Sequence, residues 1–248
     1  MKRYGLIGFP VKYSFSQNYF TEKFYKEGIE NALYELFEIK DIAEIKQLIT
    51  NHPDLVGLNV TKPYKEQVIP FLDQLDESAR KIGAVNVIKI ENGQLKGFNS
   101  DYFGFKNSLK AWLPHTDIKA LMLGNGGAAK AVMVALDDLK IPYQIVSRTP
   151  HSGQITYETL HTEPHWLETH QLLINCTPLG MQPDVHLGPD LPYDLVTSEH
   201  YGYDLIYNPE ETYFMRKISV KGGKVKNGLE MLYLQAEKSW EIWQSDMD

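Results

Sequence analysis

Short apolar runs and stretches of helical period alternate along the first part of this chain. The helical stretches carry apolar residues on one face, at Phe20 and Phe24 and at Ile42, Ile45 and Ile49. Apolar runs of strand length lie on either side of them, at residues 2–8, 33–37 and 56–60. This βαβ alternation predicts a sheet with a parallel core.

A hairpin signal follows the third strand. Asn92-Gly93 is a strong two-residue turn pair, and it separates strand-type runs at residues 85–90 and 95–98. The pair therefore predicts that the first sheet, although mainly parallel, gains an antiparallel edge.

A second α/β pattern occupies the rest of the chain. Strand-type runs recur at residues 120–123, 143–146, 172–176 and 203–206. A helix at residues 102–112 is the predicted crossing into this part. The helix that follows Asn227-Gly228 is expected to return to the first part, anchored by Trp240 and Trp243. We predict two domains, residues 1–101 plus 228–248 and residues 102–227.

Composition excludes several classes of function. The chain has 248 residues, 43% of them hydrophobic, and no apolar run of membrane-spanning length. A net charge of −7 without a basic stripe argues against a nucleic-acid partner. The single cysteine, Cys176, excludes an internal disulfide and favours a reducing cytoplasm. A spacing that could suit metal ligands on one helix is present at His161, His165 and His170. Pro164 interrupts the helix that these histidines would need, so no metal is predicted.

The most informative motif is an apolar strand that runs into a glycine turn and then into a helix-forming stretch, Leu121-Met122-Leu123-Gly124-Asn125-Gly126-Gly127-Ala128-Ala129. Glycines allow a tight turn and a close backbone approach, and the N–H groups that begin the next helix face a phosphate. The motif predicts a dinucleotide site. An ordinary strand-to-helix connection is the alternative.

The end of the next strand indicates which dinucleotide binds. An NAD site usually places a carboxylate there for the ribose 2′-OH, whereas this chain has Ser147-Arg148-Thr149. A guanidinium between two hydroxyls suits the 2′-phosphate of NADP. A solvated surface arginine is the alternative for Arg148.

Polar clusters lie where the strands of the first part end. Ser14 and Ser16 follow the first strand and can bind a carboxylate, although Ser16 could instead be a helix N-cap. Asn59 and Thr61 lie on one side of the third strand's end, and Lys65 is expected near the start of the next helix. Two further clusters, GAVN and GFNSD, enter and leave the hairpin with Asn86 and Asp101.

Taken together, these motifs resemble the shikimate dehydrogenase family over nearly the whole chain. The matching segments, in the family's order, are GFPVKYSFS, NVTKPYK, GAVNVI, GFNSD, GNGGAA, SRT, INCTPLGM, YDLIYNP and NGLEMLYLQA. The resemblance implies a mixed, mainly parallel substrate domain, a Rossmann-like NADP domain and a cleft between them. It also implies reversible NADPH-dependent reduction of 3-dehydroshikimate to shikimate, a step of aromatic amino acid biosynthesis.

The resemblance further assigns roles to residues. Lys65 and Asp101 match the family's catalytic pair. Implied substrate contacts are Ser14 and Ser16 for the carboxylate, Asn59, Thr61, Asn86, Asp101 and Gln235 for the ring hydroxyls, and Tyr207 closing the pocket. The implied cofactor residues are Gly124, Asn125, Gly126, Gly127 and Ala128 at the pyrophosphate, Ser147, Arg148 and Thr149 at the adenosine phosphate, and Thr177, Met181, Leu205 and Gly228 near the ribose or nicotinamide.

Departures from the family pattern leave alternatives open. Ser147 replaces the asparagine of NRT, and Ser152 lies near a position where many members have lysine, so we expect a shallower preference for NADP over NAD. A broader quinate/shikimate dehydrogenase and a non-catalytic ligand-sensing relative are the alternative functions. A homodimer is the expected assembly if the chain is not monomeric.

Overall fold

A computed structural model describes residues 1–11 and 14–246. The strands are β1 Lys2–Gly8, β2 Ala32–Glu38, β3 Leu55–Val60, β4 Gln74–Leu75, β5 Val87–Glu91, β6 Gln94–Phe98, β7 Ala120–Leu123, β8 Tyr143–Val146, β9 Leu172–Asn175, β10 Tyr201–Asp204 and β11 Lys224–Lys226. The α-helices are α1 Phe15–Lys26, α2 Ile45–Asn51, α3 Glu77–Ile82, α4 Ser100–Trp112, α5 Gly127–Leu139, α6 Tyr157–Thr162, α7 His165–Thr169, α8 Tyr213–Ser219 and α9 Leu229–Gln244.

The chain divides into two compact units. Unit 1 consists of residues 1–103 and 235–248, and unit 2 of residues 104–234. The two divisions lie inside helices α4 and α9. Among the described residues, no helix is both long enough and apolar enough to cross a bilayer.

Unit 1 contains a mixed sheet with the strand order β2-β1-β3-β5-β6-β4 among the described residues. β1 runs parallel to both β2 and β3, whereas β5 is antiparallel to β3 and β6. The predicted hairpin is present: Asn92 and Gly93 connect β5 to β6 with positive φ angles of 52° and 77°. The predicted mixed, mainly parallel fold class is therefore confirmed.

Helix α9 completes the core of unit 1. The Trp243 ring lies against Gly57 of β3, where an added Cβ would come within 2.5 Å of the indole nitrogen. That nitrogen donates a hydrogen bond to the Ile88 carbonyl at 3.1 Å. Tyr4 packs between Trp243 and Trp240, with ring centroids 4.9 and 5.3 Å away. The prediction that these two tryptophans anchor the final helix is confirmed.

Unit 2 contains a parallel sheet with the order β11-β10-β9-β7-β8 in the part of the chain that is described. β7 continues through α5 to β8 on one side, while β9 pairs with β7 on the other side. The order in which strands are added to the sheet therefore reverses between β7 and β9, although all of these strands are parallel. Open α/β sheets bind ligands at the carboxyl ends of the strands beside such a switch point.

Several elements differ from the sequence prediction. The histidine-containing stretch that Pro164 was expected to interrupt contains the short helices α6 and α7, with Pro164 between them. β10 covers residues 201–204 rather than 203–206, because it pairs in register with β9 from Leu172. Helix α4 begins at Ser100 rather than Tyr102, which places Asp101 in its first turn.

Candidate active site

Ser14 and Ser16 lie at the start of α1, close after β1. Ser14 is the N-cap, and its Oγ accepts a hydrogen bond from the Ser16 N–H at 3.1 Å. The alternative in which Ser16 caps the helix is wrong, because α1 begins at Phe15. The Ser16 side chain instead interacts with the Tyr34 hydroxyl. Both serines are partly exposed.

Asn59 is the centre of a buried polar network at the end of β3. Its Oδ1 accepts a hydrogen bond from the Tyr34 hydroxyl at 2.7 Å. Its Nδ2 donates to the Asn86 carbonyl at 3.3 Å and to Ser239 Oγ at 3.0 Å. Burial raises the pKa of Tyr34, so this phenol stays a protonated donor at neutral pH. Both amide protons of Asn59 are therefore engaged by the protein itself. Through these hydrogen bonds, Asn59 holds Tyr34, Asn86 and Ser239 in place.

Asn86 fixes the start of α4. Its Oδ1 accepts from the Ser100 N–H at 2.7 Å, and its Nδ2 donates to Ser100 Oγ at 3.0 Å. Ser100 Oγ in turn lies 3.4 Å from Gln235 Oε1 and 3.2 Å from Ser239 Oγ. Asn59, Asn86 and Gln235, three predicted substrate residues, are thus joined into one network, and Asp101 follows directly from Ser100.

Lys65 and Asp101 form a close ion pair beside this network. Lys65 Nζ lies 2.5 Å from Asp101 Oδ2, with side-chain exposures of 26% and 13%. Contrary to prediction, Lys65 does not lie near the start of a regular helix: residues 62–68 form hydrogen-bonded turns. Pro63 disfavours helical geometry before it and Pro70 lacks an N–H, so little room is left for a helix between them.

The carbonyl of Lys65 accepts a hydrogen bond from the Val85 N–H at 2.7 Å, which holds this turn against the start of the hairpin. Thr61, partly exposed, is held by its N–H to the Ile7 carbonyl at 3.0 Å. The arrangement is a partly exposed ammonium held by a carboxylate, with hydroxyl and amide groups fixed nearby along the chain. Such an ammonium can stabilise and protonate a developing alkoxide.

In unit 2, the glycine turn has the shape of a phosphate cradle. Gly124 has φ +97°, and an added Cβ there would lie 2.9 Å from Thr177 Cγ2. At Gly126 and Gly127, no described atom lies within 4 Å of the Cβ position. Gly126 caps α5 without a side-chain hydrogen bond. The glycine backbone here is therefore open to a close approach, and the first N–H groups of α5, through Ala128, have no carbonyl four residues earlier within the helix, which fits a pyrophosphate.

The loop after β8 shapes the neighbouring part of this site. Ser147 is buried, and its Oγ accepts a hydrogen bond from the Thr149 N–H at 3.3 Å, so the serine is turned into the loop. Arg148 and Thr149 are exposed. Asn125 Nδ2 donates to Gln154 Oε1 at 3.3 Å, which connects the glycine turn to this loop. Of the predicted trio, Arg148 and Thr149 are thus exposed, whereas Ser147 is buried within the loop, and its contact with a cofactor stays a prediction.

Other predicted cofactor residues follow strands β9, β10 and β11. Thr177 contacts the glycine turn through its methyl group, as described above. Gly228 packs on the Leu205 backbone so closely that an added Cβ would overlap the Leu205 carbonyl. Met181 and Tyr207 are exposed, at 42% and 38%. Leu205 and Gly228 are therefore in direct contact, whereas the contacts of Met181 with these residues stay a prediction.

The remaining candidate chemistry is accounted for structurally. Within the described ranges, no cluster of three or more His, Cys, Asp or Glu side chains could hold a metal. His161 contacts Asp190 at 3.1 Å, and the His170 ring contacts the Trp166 carbonyl at 2.9 Å. Burial raises the pKa of the Cys176 thiol, which argues against a nucleophilic role.

Sequence reasoning missed two residues of the network, Tyr34 and Ser239. Ser239 lies four residues after Gln235 on α9, so the helical period could have indicated it. Tyr34 lies in a strand that reads as ordinary sheet, and no local pattern marks its hydroxyl.

The fold and these two clusters define a class: α/β proteins that combine a Rossmann-like unit with a second unit built on a mixed sheet. Residues 6–88 match the family model described as the shikimate dehydrogenase substrate binding domain. The shikimate dehydrogenase (NADP(+)) of Desulforamulus reducens is 36% identical, over 96% of this chain and 88% of that protein.

Solved structures agree with this comparison. A chorismate mutase/shikimate 5-dehydrogenase fusion protein from Clostridium acetobutylicum is 35% identical, with a TM-score of 0.88 over 98% of this chain and 91% of that one. Shikimate 5-dehydrogenase from Thermus thermophilus, solved in complex with NADP(H) and shikimate, is 32% identical, with a TM-score of 0.85 over 98% and 94%. The chain belongs to the shikimate dehydrogenase family.

Proposed function

We propose that this protein catalyses the reversible NADPH-dependent reduction of 3-dehydroshikimate to shikimate, a step in aromatic amino acid biosynthesis. The observation that carries the proposal is the Lys65–Asp101 pair, 2.5 Å apart and partly open to solvent beside a buried amide and hydroxyl network. The names of the relatives reported above support the same reaction, and the Thermus thermophilus structure holds both ligand types.

Residues of unit 1 are proposed to bind the substrate. The Ser14 and Ser16 hydroxyls donate hydrogen bonds to its carboxylate, each contributing about 1.5–3 kcal/mol as bonds to a charged group. Thr61, Asn86, Asp101 and Gln235 bind the ring hydroxyls. Tyr207, a residue of unit 2, is a further proposed substrate contact. Asn59 accepts through the second lone pair of Oδ1, since its amide protons are engaged.

Residues of unit 2 are proposed to hold NADP. The glycine turn and the start of α5 bind the pyrophosphate, and the exposed Arg148 binds the 2′-phosphate with Thr149 beside it. Thr177, Met181, Leu205 and Gly228 line the ribose and nicotinamide. When bound, NADPH supplies the hydride for the ketone.

The proton chemistry belongs to Lys65. Its ammonium donates a proton to the ketone oxygen as negative charge develops there, and the amine accepts it in the reverse direction. Asp101 holds Lys65 Nζ at 2.5 Å and orients it. Because the pair is coupled so closely, pH–rate data on the enzyme will report on the pair rather than on either residue alone.

The test is spectrophotometric formation of reduced cofactor, with shikimate and quinate each assayed against NADP⁺ and NAD⁺. Turnover with shikimate and NADP⁺ supports the proposal. Comparable turnover with quinate would assign the broader enzyme instead. No turnover with any pair, in protein that binds shikimate, would refute catalysis and favour a sensing role.

Two finer features complete the proposal. We place the protein in the cytoplasm, because the single cysteine allows no internal disulfide. We also propose a homodimer, which sedimentation at micromolar concentration would distinguish from a monomer.

A further inference from the structure

A buried carboxylate lies at the end of β10, outside the roles assigned above. Asp204 has no exposed surface. Its Oδ1 accepts hydrogen bonds from Asn175 Nδ2 at 3.1 Å and from the Ile206 N–H at 3.0 Å. Its Oδ2 accepts from the Thr212 hydroxyl at 2.6 Å. One carboxylate thus ties together the ends of β9 and β10 and the start of α8.

Asn175 extends this network to the glycine turn. Its Oδ1 accepts from the Thr177 hydroxyl at 2.7 Å and from the Thr177 N–H at 3.0 Å. The Thr177 hydroxyl oxygen then accepts from the Leu179 N–H at 3.2 Å. With both its N–H and its hydroxyl fixed, Thr177 has a defined rotamer, and its methyl group contacts Gly124.

The same carboxylate also fixes the loop after β10. It accepts a hydrogen bond from the N–H of Ile206. In the sequence, Ile206 stands between Leu205, whose backbone contacts Gly228, and Tyr207. Two loops that carry proposed cofactor and substrate residues are therefore held by a single buried side chain. Burial raises the pKa of Asp204 to about 6, so the fold keeps a carboxylate where an ion is unfavourable.

We propose that Asp204 is a positioning residue for the cofactor site, acting through Asn175 and Thr177 on the Gly124 turn. The inference rests on the proposed NADP function. Asp204 is fully buried and is not one of the proposed cofactor or substrate contacts; it determines where the Thr177 methyl and the Leu205–Tyr207 loop lie when NADP binds.

The experiment measures NADP⁺ affinity by titration calorimetry in a double-mutant cycle of Asp204→Ala and Thr177→Val. We expect each single variant to raise the dissociation constant of NADP⁺ about tenfold. The increase in the double variant is expected to be smaller, by about fivefold or more, than the product of the two single increases. Hydrogen exchange of the Thr177 and Leu179 amides is expected to be faster in Asp204→Ala. This second readout does not depend on cofactor binding.

Two variants separate positioning from general destabilisation. Asp204→Asn keeps an oxygen acceptor for Asn175 and Ile206, so it is expected to retain affinity within about threefold. Tyr203 precedes Asp204 on the same strand, and Tyr203→Phe removes a buried hydrogen bond from the Tyr203 hydroxyl to Ser108 Oγ at 2.9 Å. It is expected to lower stability and leave NADP⁺ affinity unchanged.

The outcomes are distinct. Additive effects in the cycle, equal losses of affinity in Tyr203→Phe and Asp204→Ala, or unchanged exchange at Thr177 would each overturn the positioning role. If Asp204→Ala does not fold, Asn175→Ala interrupts the same path and replaces it in the cycle. Failure of the unmodified protein to bind NADP⁺ would refute the proposed function and this inference with it, whereas binding without turnover would refute only catalysis.

Discussion

Replacement of Lys65 by methionine tests the central catalytic assignment. Methionine keeps most of the side-chain length and removes the ammonium that contacts Asp101 at 2.5 Å. Loss of a positioned general acid lowers kcat by about 10²–10⁴-fold. NADP⁺ affinity is expected to stay within about threefold, because the glycine turn and Arg148 are unchanged.

The same substitution has a separate cost in stability. It leaves Asp101, 13% exposed, without its cation. Exposed pairs contribute about 0–1 kcal/mol, and breaking a buried one costs about 3–5 kcal/mol. Because this pair is intermediate in exposure, we expect a loss of about 1–3 kcal/mol in the free energy of unfolding, which is too small to explain a loss of activity at 25 °C.

Three measurements distinguish these effects: steady-state kcat and KM for shikimate, the dissociation constant of NADP⁺, and urea unfolding. Lys23→Met is the matched control, since Lys23 is a mostly buried lysine paired with Glu27 and Glu237 at 2.7 and 3.0 Å, away from the Lys65–Asp101 pair along the chain. It is expected to lose stability with kcat unchanged. A Lys65→Met enzyme whose kcat stays within about tenfold of the unmodified enzyme would refute proton transfer by Lys65.

Further predictions concern unit 2. Arg148→Ser is expected to weaken NADP⁺ binding about tenfold or more while NAD⁺ binding is unchanged; equal losses for both cofactors would contradict a 2′-phosphate contact. Gly124→Ala combines left-handed backbone strain with the contact at Thr177 and should lower both stability and NADP⁺ affinity. Gly153→Ala, with φ +81° and no described atom within 4 Å, should show the strain alone. Because the folded pKa of Asp204 is raised to about 6, its contribution to stability is complete below the ordinary value of 3.8 and declines as the pH rises through 6. Thermal unfolding should therefore show Asp204→Asn gaining on the unmodified protein between pH 4 and pH 7, with most of the gain below pH 6, and parallel curves over this range would exclude this titration.

Local patterns predicted much of the fold because the relevant forces act over a few residues. The strand Lys2–Gly8 and the Asn92-Gly93 hairpin follow from apolar runs and turn chemistry. The weak edge strand Lys224–Lys226 has no such run. It forms because β10 offers it parallel hydrogen-bond partners, which are distant in sequence.

The candidate site shows the same division. Ser14, Asn59 and Lys65 were located by their position after strands and by family resemblance. The partners that hold them were not, since Tyr34 meets Asn59 only through sheet pairing and Ser239 only through the fold of α9. The inward turn of Ser147 likewise depends on the loop closing over it, which a one-dimensional pattern does not encode.

The contribution of α9 to unit 1 has a consequence for biosynthesis. Unit 2 is continuous in sequence, so its sheet can assemble as the chain leaves the ribosome. Unit 1 lacks Trp243 until a whole further unit has been translated, and until then the Gly57 face of its sheet remains uncovered. The nascent unit 1 therefore exposes apolar surface to chaperones and proteases for longer than unit 2 does, although it is synthesised first.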